Sequence, residues 1–138
     1  MTISESIIDW LSGYGSTLEI IDTDTLEAET EPNGMYKNPE RNIEYFNDGA
    51  GKITEYYTFL TKQNSLTDSQ RVSNAQFLEN LEEWVENKNF NEDFPTLTNG
   101  VVTDIAIANS FYLQDSEEDN ATYQLSIEII YIKERINE

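Results

Sequence analysis

The chain has 138 residues, with 27 acids against eight bases, a formal net charge of −19, and neither cysteine nor histidine. Those two absences exclude disulfides, thiolate metal sites, Ser-His-Asp and Cys-His catalytic arrangements, and the commonest general base. The length fits a single domain, residues 1–138, able to bury about two-thirds of its unfolded surface and so to build a core without staples.

The first predicted element is a helix. Thr2-Ile-Ser-Glu5 has capping-box spacing, and Ile3, Ile7, Trp10 and Leu11 follow as one apolar stripe. Gly13 and Gly15 supply the left-handed backbone that ends helices. Thr17 to Ile21 reads as a short strand, and the acidic stretch Asp22 to Glu31 follows it. Pro32, Asn33, Gly34, Asn38 and Pro39 then mark a loop. Next comes a hairpin of Asn42 to Phe46 and Ile53 to Lys62, turning at Asp48-Gly49.

A second helix is predicted from about Asp68 to Asn87. Phe77, Leu78, Leu81, Trp84 and Val85 form its apolar face, and Glu79, Glu82, Glu83 and Glu86 its wet face. Asn87 to Asn91 and Pro95 end it. Two strands close the chain. Val101 to Leu113 carries Ile105, Ile107 and Phe111 on one face. In the last strand Ala121, Tyr123, Leu125, Ile127, Ile129 and Tyr131 alternate with polar residues, across a loop of Asp115 to Asn120. The expected fold is α+β: an antiparallel four-stranded sheet, built from two hairpins, with two helices packed on one face.

Candidate chemistry is sparse. Gly49-Ala-Gly51-Lys52 lies in a hairpin turn, whereas a phosphate loop runs into a helix N-terminus. Paired carboxylates are so dense that no pair stands out as an acid/base couple. Asp22-Thr-Asp-Thr25 begins like a calcium loop, but Leu26 and Glu27 fall at positions five and six and Asn33 at twelve. The expectation is therefore no metal, no cofactor and no catalysis. The scattered bases, with none in residues 1–36 or 89–132, give nucleic acid nothing to hold. Such a field repels nucleic acid and anionic membranes and favours basic protein surfaces.

No apolar run approaches the roughly 20 residues that span a bilayer. An acid at Glu5 stands where a secretory signal carries Lys or Arg, so a soluble protein made and used inside a cell is expected. The strand aromatics Tyr45, Tyr56, Tyr57, Tyr112, Tyr123 and Tyr131 are the candidate interface, because neighbours such as Tyr56 and Tyr57 point to opposite faces of a sheet.

Taken together, these stretches carry a family resemblance. Thr2 to Leu11, the hairpin turning at Asp48-Gly49, Asn74 to Asn87 with its Glu83-Trp84-Val85-Glu86 ending, Pro95, and the closing strands ending Tyr123 to Tyr131 extend over nearly the whole chain. They resemble the tail-terminator and minor capsid (head–tail joining) proteins of siphophages that infect Gram-positive bacteria. Residues 24–41 depart from that pattern, being longer and more acidic.

The resemblance implies a structural role with no catalytic residue. Subunits would form a homo-oligomeric ring, usually a hexamer, on the head-proximal end of the tail tube. The ring would stop polymerisation of the tail tube protein and dock the head connector or head-completion protein. It implies a virion location at the head–tail junction after assembly in the host cytoplasm. DNA crosses such a ring, so Asp22, Asp24, Glu27, Asp115, Glu117, Glu118 and Asp119 are candidates for a bore that repels phosphates. The alternative from another class is an acidic DNA-mimic inhibitor of a basic nucleic-acid-binding enzyme. A small calcium- or carbohydrate-binding module ranks third, given the broken cation spacing.

Overall fold

A computed structural model describes residues 2–14, 22–23, 33–64, 68–116 and 120–133. Helix α1 (Ile3–Leu11) starts as its sequence predicts. Thr2 Oγ1 accepts from the Glu5 amide at 3.1 Å, and the Thr2 amide donates to Glu5 Oε1 at 2.8 Å. Both contacts satisfy donors that a helix start otherwise leaves bare. The predicted strand at Thr17 to Ile21 lies outside the described residues.

Among the described residues five strands follow: β1 (Asp22–Thr23), β2 (Asn33–Tyr45), β3 (Gly51–Asn64), β4 (Val101–Ser116) and β5 (Asn120–Lys133). Helix α2 (Asp68–Phe90) joins β3 to β4. The four long strands form an antiparallel sheet in the order β2-β3-β5-β4, and β1 adds two residues in parallel at the start of β2. The two predicted hairpins thus meet through β3 and β5, giving the expected α+β architecture.

The loop expected over Pro32 to Pro39 is corrected. From Asn33 onward this stretch is strand, and Asn38, Pro39 and Glu40 stand together opposite the single Tyr56. Pro39 is tolerated because, among the described residues, no strand pairs with the outer side of β2 beyond Met35, so a proline there interrupts no ladder. At the turn, Gly49 takes φ 89°, a left-handed value that suits glycine, and Asp48 Oδ1 accepts from the Ala50 amide at 3.0 Å. Asp115, expected in a loop, pairs with Thr122 inside the extended β4–β5 ladder.

The odd-numbered residues of β3 and β5 share one face. Ile53 opposes Tyr131, Tyr57 opposes Ile127, and Phe59 opposes Leu125, all of them buried. Ile7 and Leu11 of α1 and Leu78, Leu81 and Val85 of α2 close over that face in one core cluster. Trp10 and Trp84 join the helices with ring centroids 4.7 Å apart. The Trp10 indole donates to the Asp93 carbonyl at 2.9 Å.

Helix α2 outruns its predicted end by three residues. It stops in a Schellman closure: the Asp93 amide bonds the Lys88 carbonyl at 2.9 Å and the Glu92 amide the Asn89 carbonyl at 3.1 Å, with Glu92 at φ 55°.

Candidate functional site: a buried carboxylate and two unlike flanks

Position 55 of β3 faces inward, opposite Arg41 on one side and Ile129 on the other. A glutamate there is 1% exposed, which demands compensation. Four donors supply it. Lys37 Nζ and Arg41 Nε each lie 3.0 Å from Oε2, and Oε1 accepts from the Tyr131 hydroxyl at 3.1 Å and the Tyr57 hydroxyl at 3.5 Å.

The β2 bulge makes this set reachable. Its two extra residues preserve strand parity, so Lys37, opposite Tyr57, and Arg41, opposite Glu55, emerge on the same face. Burial pushes both tyrosine hydroxyls up from their ordinary value, and the Glu55 charge pushes them further. Partial burial pulls the Arg41 guanidinium down, but its bond to Tyr131 and the charge of Glu55 outweigh that and hold it above the usual value.

The two flanks of the sheet differ. On the β4 side, α2 lies along the outer strand. Glu82 accepts from the Phe111 amide at 2.6 Å and from the Ser110 hydroxyl at 2.9 Å, and Asn89 Oδ1 accepts from the Ile105 amide at 3.0 Å. The Glu82 contacts fall at an irregularity of β4, where the ladder to β5 shifts register between Asn109 and Tyr112, whereas Ile105 pairs in register with Ile129. Val72, Gln76, Glu79, Glu83, Glu86 and Phe90, all exposed, follow the helical repeat as a stripe on the far side from Trp84, which faces α1. Phe90 is 86% exposed. On the opposite flank, β2 beyond Met35 has no strand along its outer edge among the described residues, and Tyr45 at its end is 61% exposed.

The tyrosines expected at an interface divide. Tyr45 and Tyr112 are exposed, and Tyr56 and Tyr123 are half-buried. Tyr56 hydrogen-bonds Glu128 across the strands, which raises its phenol from the usual value. Tyr57 and Tyr131 are corrected: they sit in the core, 2% and 3% exposed, where they hold Glu55 rather than meet a partner. Of the proposed bore residues, Asp22 and Asp115 are placed by their backbones in β1 and β4, while Asp24, Glu27, Glu117, Glu118 and Asp119 lie outside the described residues.

No family model matches the chain, and no curated protein matches it. Among the described residues, no group of three or more acidic side chains is arranged to hold a metal ion, and no helix is long and apolar enough to cross a membrane. Besides the two flanks there is a shallow cleft of about 160 Å³ between the start of α1 and the segment before β4. Ser6, Leu97, Thr98, Asn99, Tyr131 and Lys133 are among its lining residues.

Sequence reasoning missed both Glu55 and Phe90. Glu55 was readable, because it interrupts the inward series Ile53, Tyr57, Phe59. Phe90 was readable once the helix extends past Asn87, since it falls eighteen residues, five helical turns, after Val72.

Proposed function

We propose that this protein is a structural subunit that forms a ring on the head-proximal end of a siphophage tail tube. It stops tube polymerisation there and offers a docking surface to the head connector. The observation that carries this reading is the pair of unlike flanks: on one side a strand edge unpaired among the described residues beyond Met35, with an exposed tyrosine, and on the other a helix presenting acids and an exposed phenylalanine. A closed ring needs a heterologous interface, in which two different patches of each subunit meet. In this reading the protein is not an enzyme, the ring is a hexamer, and it sits at the virion's head–tail junction after assembly in the host cytoplasm. In this reading the acidity of the chain keeps passing DNA from adhering to the bore.

The outward stripe Glu79, Glu83 and Glu86 favours a second reading, a DNA mimic directed at a basic enzyme. Negative-stain microscopy with light scattering separates the two. Rings, free or seated on tail tubes, support the terminator. A protein that stays monomeric beside tail tubes and instead captures a basic nucleic-acid-binding enzyme refutes it in favour of the mimic.

A further inference from the structure

We infer that the outward stripe of α2 docks on the helix-side rim of β2 in a second copy of this chain, which names the contact through which the ring proposed above would close. Three observations carry this. First, the surfaces lie on opposite flanks of one molecule: α2 along the β4 edge, and β2 at the other edge of the sheet.

Second, their chemistry is complementary. On β2 the series is Lys37, Arg41, Tyr45. Both cations remain about two-fifths exposed, at 43% and 40% of their side chains, while holding Glu55. Each also keeps donors to spare, since an ammonium has three and a guanidinium five. On α2 the series is Glu79, Glu83, Phe90, every member exposed.

Third, the spacings agree. Strand β2 and helix α2 both run antiparallel to β3, because α2 leaves from the end of β3 and returns to the start of β4. The two series therefore read in the same direction. Glu79 and Glu83 are about 6 Å apart along the helix. Lys37 and Arg41, opposite Tyr57 and Glu55, are about 7 Å apart along the strand. From Phe90 back to Glu83 is about 10 Å, and from Tyr45 back to Arg41 about 14 Å, a difference that long side chains span. With the phenylalanine laid against the tyrosine, each glutamate falls beside a cation. A rotation about an axis along the strands keeps that direction in every subunit, so the contact repeats head to tail.

The chain has no cysteine of its own, which makes cross-linking clean. The double variant Tyr45→Cys/Phe90→Cys, oxidised at concentrations where the protein associates, is expected to give a ladder of cross-linked species. Neither single variant should extend past a dimer. Separately, Glu79→Lys/Glu83→Lys is expected to weaken association about tenfold by sedimentation, with an unchanged circular dichroism spectrum. Closed rings without a ladder, or charge reversal without effect on association, overturn this interface and leave the ring standing. A ladder of open chains that never close supports the interface and overturns the ring. A monomer at every concentration, with tail tubes or without them, overturns both.

Discussion

A carboxylate as deeply buried as Glu55 persists because its lone pairs are occupied from three strands: Lys37 and Arg41 on β2, Tyr57 on its own β3, and Tyr131 on β5. Replacing it with glutamine keeps the shape but removes the charge that Lys37 and Arg41 share. Glu55→Gln is expected to lower stability by about 1–3 kcal/mol in urea denaturation, the lower part of that range being favoured by the partial exposure of both cations. An unchanged midpoint would show that the cluster contributes no net stability. Glu92 is the contrary case, a side chain in a left-handed position that only the helix closure requires. Glu92→Gly should therefore raise stability by about 0.5–1 kcal/mol, read from the same denaturation curves.

At the scale of elements, the pairing of α2 with β4 decides which sheet edge is free. Glu82→Ala leaves the Phe111 amide without its acceptor. The expected result is a loss of about 1–2 kcal/mol, together with faster hydrogen exchange at the Phe111 amide. Exchange that stays slow at Phe111 would mean that another acceptor takes over. Much of this architecture was legible in the sequence, because its signals were periodic. The alternation from Ala121 to Tyr131 and the capping box at Thr2 each reflect a local rule with one outcome. The strand through Pro39 was not legible. Proline and the turn residues around it describe the backbone's local preference, whereas pairing with β3 is a property of the partner. The flanks were unreadable for a similar reason: which edge α2 covers depends on β5 inserting between β3 and β4.

For the molecule as a whole, alkaline pH is the most direct probe of the buried cluster. Tyr57 and Tyr131 both titrate higher in the folded chain than in the unfolded one. The folded state therefore keeps protons that the unfolded chain releases. Their contribution is complete below about pH 10, the usual tyrosine value, and falls as pH rises from there toward the folded values. The decline cannot exceed about 1.4 kcal/mol per pH unit for each tyrosine. In Tyr57→Phe the slope should be shallower, measured by urea denaturation from pH 8 to 11.5. A stability curve flat across that span would contradict the placement of both hydroxyls.

The covered edge of β4 also bears on how this molecule can go wrong. Growth of strand-on-strand aggregates requires two free edges per molecule, one to receive a neighbour and one to offer. Here one edge is broken by register shifts and has backbone amides engaged by Glu82 and Asn89, while the other, among the described residues, lacks a paired strand only beyond Met35. Misassembly through strand addition would thus end with two molecules joined at their β2 edges. At high concentration the stray product to look for is a symmetric pair, not a fibre.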